Sequence, residues 1–222
     1  MYAAPSAGPL PKIPKPTAPL SIREFQAATN VSRETLARLE AYGALLRKWN
    51  PRINLVSWRS LDDLWRRHML DSMQLLRHID PNSVKGPWLD LGSGAGFPGL
   101  VLAIAGVGNM HLVESDGRKC AFLSEAARIT ATEVTVHNDR IESLPPFGAA
   151  VITARAFAPL AKLLSWAHPH LVSNGQLLLL KGQDIDVELT EAGKYWMMTP
   201  RLIPSVTDET GSILQLTEIT RV

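Results

Sequence analysis

The stretch Pro87-Trp88-Leu89-Asp90-Leu91-Gly92-Ser93-Gly94-Ala95-Gly96-Phe97-Pro98-Gly99 leaves this chain few folds to choose from. A short apolar run ends in an aspartate, glycines follow at alternate positions, and Gly99 opens a second apolar run to Ala105. The pattern predicts a strand, a tight turn and a helix start. Glycines at such a turn take positive φ and let a ligand approach the backbone. The free N–H groups of the helix start then face whatever enters the crevice, and open α/β sheets bind ligands beyond the carboxyl ends of their strands.

Two cofactor classes use such a turn. Gly94-x-Gly96-x-x-Gly99 fits the dinucleotide fingerprint, with Glu114 about where a ribose-binding acid falls. Asp90-x-Gly92-x-Gly94-x-Gly96 also resembles the first motif of class I S-adenosylmethionine (SAM) methyltransferases. In those proteins an acid two before the first glycine faces the cationic methionine end of the cofactor. The glycines alone do not separate the two.

The order of elements does. Ser21-Ile22-Arg23-Glu24 matches a capping box that opens a short helix. Apolar residues from Leu36 to Trp49 recur at helical spacing, and Asn50-Pro51 is expected to stop that helix. A third helix is expected from Ser60 to Ile79. After the glycines, strands are predicted at 110–114, 133–137, 149–153 and 176–180, with helices over 117–130, 158–172 and 184–192 between and beyond them. Two further strands, 195–203 and 213–219, lie close enough to pair antiparallel. This predicts an α/β fold with a seven-stranded, mostly parallel sheet covered on both faces. The expected division is a proline-rich disordered tail over 1–20, a helical cap over 21–80 and a cofactor-binding domain over 81–222. A dinucleotide fold would more often end on a sixth parallel strand.

Charge is unevenly placed. Residues 1–80 hold 12 Lys/Arg against 7 Asp/Glu and the remainder 11 against 14, from totals of 23 and 21. A basic N-terminal part suits a polyanionic partner, although a solvated helix face gives the same count. Arg47, Lys48, Arg52, Arg59, Arg66 and Arg67 concentrate the excess. One cysteine, Cys120, permits no internal disulfide and agrees with a reducing cytoplasm. No apolar run is long enough to span a bilayer, and the histidines show no metal-ligand spacing, so neither a membrane nor a metal partner is expected.

Beyond the glycine turn, several residues are placed to act. Glu114, ending the second strand, can accept both ribose hydroxyls of an adenosine, or can cap the following helix. Asn138 to Glu142 follow the third strand, where SAM enzymes reach the adenine edge. Arg155, ending the fourth, carries a fork of donors suited to phosphate, carboxylate or a guanine edge; a salt bridge to Glu142 or Asp90 is the alternative. His68 either packs or faces the crevice. Leu144-Pro145-Pro146-Phe147 mimics the Asn/Asp-Pro-Pro-aromatic stretch of amino-group methyltransferases, but a leucine stands in the polar position and the stretch precedes the fourth strand. No cysteine lies near that strand to act as a nucleophile for pyrimidine C5 chemistry.

Together these residues resemble the small-subunit (16S) ribosomal RNA methyltransferase G family, also called glucose-inhibited division protein B. The resemblance spans about residues 30–220. It rests on Trp49-Asn50-x-x-Ile53-Asn54-Leu55, Arg67-His68-x-x-Asp71-Ser72, the glycine stretch ending Gly-Phe-Pro-Gly, Lys119-x-x-Phe122-Leu123, Arg155-Ala156-Phe157 and Leu180-Lys181-Gly182. It implies SAM as cofactor, with contacts from Gly92, Phe97, Ile141, Glu142 and Arg155 beside the motif residues Asp90, Ser93, Gly94 and Glu114. It also implies methylation of N7 of a guanosine in the 530 loop of 16S rRNA, on RNA or the small subunit. A cytoplasmic monomer is expected. No residue is assigned a catalytic acid or base role, because guanine N7 carries an in-plane lone pair and no proton.

Overall fold

The computed structural model describes residues 18–155 and 158–222. The expected tail falls outside this range up to Thr17, as do Ala156 and Phe157. Leu20 already belongs to the folded part: it is buried, and its N–H donates to Oδ1 of Asp63 at 2.8 Å.

The cap begins with α1 (Ile22–Thr29), whose capping box forms as its sequence predicts: Ser21 and Glu24 each satisfy the other's backbone N–H. Helix α2 (Arg33–Ile53) is N-capped by Ser32 and runs through Pro51 instead of stopping there. Proline removes one ladder bond, but it falls in the last turn, which Asn50 braces from inside. The Asn50 amide accepts from Val56 N–H at 2.9 Å and donates to Val56 C=O at 3.1 Å. The helix expected from Ser60 to Ile79 is broken into α3 (Trp58–Leu61), a π turn (Trp65–Leu70), α4 (Asp71–Met73) and a 3-10 turn (Gln74–Arg77). The apolar spacing is helical throughout, but it does not report local changes of pitch, and π turns gather at functional sites.

Seven strands follow: β1 (Trp88–Leu91), β2 (Met110–Glu114), β3 (Val134–Asn138), β4 (Ala149–Arg155), β5 (Leu171–Lys181), β6 (Trp196–Pro204) and β7 (Ser212–Arg221). They form one sheet in the order β3-β2-β1-β4-β5-β7-β6. The first five are parallel, and β7 runs antiparallel between β5 and β6. Helices α5 (Gly99–Ile104), α6 (Gly117–Ile129), α7 (Leu160–Ala167) and α8 (Ile185–Ala192) connect them. The helix expected over 158–172 ends at Ala167, because Pro169 turns the chain into a short 3-10 segment and β5 starts at Leu171.

Two apolar layers cover the sheet. One joins cap residues Phe25, Leu39, Tyr42, Leu46 and Met69 to α5, α6 and the near face of the strands. The other packs α7 and α8 on the far face. Side chains such as Leu46 and Leu100 are wholly buried, and each contributes about 1.5–3 kcal/mol. The cap therefore shares its core with the sheet, and this holds its broken third helix above the carboxyl ends of β1 and β4.

Candidate functional site

The glycine turn leaves β1 with Gly92, Gly94 and Gly96 all at positive φ, 65°, 56° and 96°. Gly94 in the turn and Gly99 at the helix start differ in what surrounds them. A Cβ on Gly94 would meet nothing nearer than the Gly92 carbonyl oxygen at 3.7 Å, so it would project into open space. A Cβ on Gly99 would lie 2.6 Å from Cβ of Asp90 and Cδ2 of Leu112, so that glycine serves close packing of α5 on the sheet. The Tyr42 hydroxyl, reaching from α2, donates to the Ala95 carbonyl and anchors the turn to the cap.

Asp90, expected to face the cationic end of a cofactor, is instead wholly buried beneath the turn and lines neither cavity of the site. The register explains the placement: Asp90 pairs with Thr153 across β1 and β4, and the Thr153 hydroxyl donates to Oδ1 of Asp90 at 2.6 Å. The second carboxylate oxygen has no partner among the described residues. Burial raises its pKa to about 6, against the lowering effect of the Thr153 bond. Ser93 closes the same knot, its hydroxyl donating to the Asp90 carbonyl at 3.0 Å.

Glu114 ends β2 with both oxygens engaged by backbone: Oε2 accepts from Gly94 N–H at 2.9 Å and Oε1 from Asp116 N–H at 2.8 Å. The capping of α6 falls to Asp116, which accepts from Arg118 N–H. Glu114 thus fixes the turn against the strand and stays at the edge of a crevice.

Two adjoining cavities flank the turn. The smaller, about 320 Å³, is lined by Gly92, Gly94, Glu114, Ile141, Glu142 and Arg155. The larger, about 510 Å³, lies on the cap side and is lined by Ser93, Phe97, His68, Asp71, Arg155 and the 205–212 loop ends, among others. Gly92, Gly94 and Arg155 line both. Eight of the nine residues singled out in the sequence therefore border the paired cavities; Asp90 supports them from below.

Arg155 pairs with neither Glu142 nor Asp90. Its Nη1 lies 3.5 Å from Oδ2 of Asp71 and donates to the Arg67 carbonyl at 3.1 Å, while the guanidinium sits 4.9 Å above the Phe97 ring. Asp71 is held in turn by Thr207 and Gln74, at 2.6 and 2.9 Å. Burial pushes the Asp71 carboxyl above its usual range, opposed by the Thr207 hydrogen bond and by Arg155. The bonds made by the Tyr42, Thr153 and Thr207 hydroxyls were not legible, since each acts across 50 residues or more and so carries no local signature. Asp71 was legible only as part of Arg67-His68-x-x-Asp71-Ser72. His68 both packs and borders the crevice, stacked on Phe97 with ring centroids 4.6 Å apart.

The donor set fits an adenosine-bearing cofactor with a charged tail. The Glu114 carboxylate at the crevice edge suits a ribose, and glycines without Cβ leave room for it. Arg155 offers a cation between the cavities. Cys120 is buried and donates to the Glu114 carbonyl at 3.1 Å, and its thiol pKa is raised by burial. Among the described residues there is no group of three His, Cys, Asp or Glu able to hold a metal, and no helix long and apolar enough to cross a membrane.

Comparisons with known proteins agree with this geometry. Among solved structures, a SAM-dependent methyltransferase from Aquifex aeolicus superposes with a TM-score of 0.54 at 16% identity, covering 72% of this chain and 95% of its own. Magnesium protoporphyrin IX methyltransferase from Synechocystis, solved with bound SAM, gives 0.54 at 14%, covering 79% and 96%. These establish the class I methyltransferase fold, as the antiparallel β7 insertion also does. Ribosomal RNA small subunit methyltransferase G of Rhodospirillum rubrum is 58% identical over 198 residues, which is 89% of this chain and 97% of the relative. Its counterpart in Paramagnetospirillum magneticum is 54% identical over 198 residues, 89% and 96%. The family model for rRNA small subunit methyltransferase G matches residues 35–212. With most of both cap and sheet inside that match, the chain belongs to the rRNA small subunit methyltransferase G family.

Proposed function

We propose that this SAM-dependent small-subunit rRNA methyltransferase acts in the cytoplasm on N7 of a guanosine in the 530 loop of 16S rRNA. The observation that carries the reading is the pair of cavities sharing Gly92, Gly94 and Arg155. Cofactor in the smaller and nucleobase in the larger would meet across that shared wall. SAM bound there supplies an electrophilic methyl group on a sulfonium.

The residues of this chain then have modest tasks. Glu114 would hold the ribose, Ile141 and Glu142 would border the adenine, and Arg155 would orient the reactants at the wall shared by the two cavities. Attack by an in-plane lone pair needs no general base, so placing the two reactants in line is the main requirement. Such placement can supply roughly 7–11 kcal/mol of a barrier. A base splayed out of unpaired RNA presents its Hoogsteen edge to a pocket of this kind.

Other methyl acceptors are less well served. Cys120 is too deeply engaged on α6 to attack a pyrimidine. Phe147 of the Leu-Pro-Pro-Phe stretch packs against His111, His137 and His170, and lines neither cavity. The test is to incubate the protein with methyl-labelled SAM and small-subunit rRNA and digest the product to nucleosides. Label in 7-methylguanosine supports the reading; label in a methylated pyrimidine or an exocyclic amine overturns it.

A further inference from the structure

His68 is only 6% exposed, and both of its ring nitrogens are buried without a hydrogen-bond partner. It lies on the π turn of the cap, its ring stacked on Phe97, in the wall of the larger cavity. Arg67 flanks it on its own element and Arg155 reaches it from β4; Asp71, one turn on, is occupied by Thr207, Gln74 and Arg155. Burying unpaired polar atoms costs stability, and such atoms beside a crevice call for a ligand to satisfy them.

We propose that His68 reads the Hoogsteen edge of the target purine, donating a ring N–H to the carbonyl oxygen that neighbours N7. The proposal rests on guanine N7 as the methyl acceptor. A neutral imidazole has one donor and one acceptor nitrogen, so it can hold that carbonyl without offering a proton to the lone pair that must attack. Burial first, then the two arginines, push the imidazole down to a pKa of about 3, which keeps it uncharged. A carboxylate ligand would be better matched by an imidazolium, and Arg155 and Arg67 already stand ready for one. The base is therefore the better occupant for this group, with the Phe97–His68 stack giving its pocket a flat, rigid wall.

The experiment uses small-subunit rRNA carrying either guanosine or 2-aminopurine ribonucleoside at the target position, alone and assembled into small subunits. 2-Aminopurine keeps N7 but lacks the carbonyl oxygen. Methylation rates are compared for the wild-type protein, His68→Phe, which keeps the stack but has no donor, and His68→Gln, which restores one. The wild-type guanosine-to-2-aminopurine rate ratio is expected to fall at least tenfold in His68→Phe and to recover in part in His68→Gln. SAM affinity by calorimetry is expected to stay within twofold. Equal ratios in wild type and His68→Phe, or a wild-type ratio near one, would overturn the proposal. Should His68→Phe fail to fold by circular dichroism, His68→Ala replaces it as the variant without a donor: His68→Gln is expected to discriminate more than His68→Ala, and equal ratios in wild type, His68→Gln and His68→Ala would overturn the proposal. A wild-type protein that makes no 7-methylguanosine on unmodified RNA instead removes the parent reading, whatever His68 does.

Discussion

Arg155 and Asp71 join the two halves of the site: Nη1 of the arginine at the end of β4 lies 3.5 Å from Oδ2 of the aspartate in the cap. The pair spans sheet and cap, with Arg155 in the wall common to both cavities and Asp71 in the wall of the larger. Arg155→Ala is expected to lower kcat/KM at least a hundredfold, about 2.7 kcal/mol in barrier terms. Asp71→Asn, which frees the arginine but keeps an acceptor for Thr207, is expected to lose roughly tenfold or less. Steady-state kinetics with thermal melts separates the effects. Arg155→Ala activity within threefold of wild type would reduce the residue to a structural ion pair.

Two glycines separate access from packing. Gly94→Ala places a methyl group in the crevice at a φ of 56°, a backbone strain of about 1–2 kcal/mol. It is expected to weaken SAM binding at least tenfold with a small loss of melting temperature. Gly99→Ala drives a methyl into Asp90 and Leu112, and is expected to lower stability by about 1–3 kcal/mol. Calorimetric titration and urea unfolding of the two variants check the contrast. A Gly94→Ala protein that binds SAM as tightly as wild type would move the cofactor away from this turn.

The glycine turn, the alternation of strands with helices and the antiparallel end of the sheet were legible because alternation, apolar runs and glycine spacing are local signals. Other features were not. Asp90 looked like a ligand-facing acid, but its strand neighbours and the close approach of Gly99 bury it. Pro51 looked like a helix stop, but the Asn50 brace lets α2 continue. The 60–79 segment looked like one helix, and only packing against α1 and α5 reveals its π and 3-10 turns. The role of Arg155 was half legible: its position at a strand end marked it, while its partner, Asp71, lies 84 positions earlier and could not be chosen over Glu142 or Asp90.

Asp90 also gives the fold a pH signature. Its carboxyl has a pKa of about 6 in the folded protein against 3.8 for an unperturbed aspartate, so the folded state holds the proton more tightly. The corresponding stability is fully present below pH 3.8 and is lost as pH rises through 6, by up to about 3 kcal/mol. Asp90→Asn cannot ionise and retains an acceptor for Thr153. Urea unfolding at pH 4.5 and 7.5 is expected to show a smaller loss of stability at the higher pH in the variant than in wild type. Identical differences would mean that Asp90 is ionised throughout.

The basic cap divides into structural and available charges. Arg66 is buried and paired with Asp63 at 3.0 Å, and Arg47 donates to the Leu61 carbonyl at 3.0 Å. Lys48, Arg52 and Arg59 are exposed, and Arg67 is exposed at the mouth of the larger cavity. Arg52→Glu with Arg59→Glu is expected to raise the RNA KM and lower the log–log salt slope by up to roughly 0.7 for each lost phosphate contact. SAM affinity should be nearly unchanged. RNA binding equal to wild type at every salt concentration would leave these arginines as solvated helix faces.

The most direct test is to map the transferred methyl group. Small-subunit rRNA and assembled small subunits are incubated with methyl-labelled SAM, then treated with borohydride and aniline, which cleave RNA at 7-methylguanosine. One labelled guanosine in the 530 loop, modified at N7 and absent with Arg155→Ala, is the expected result. Stable label with no cleavage at that loop, or label at a different atom or nucleotide, would contradict it.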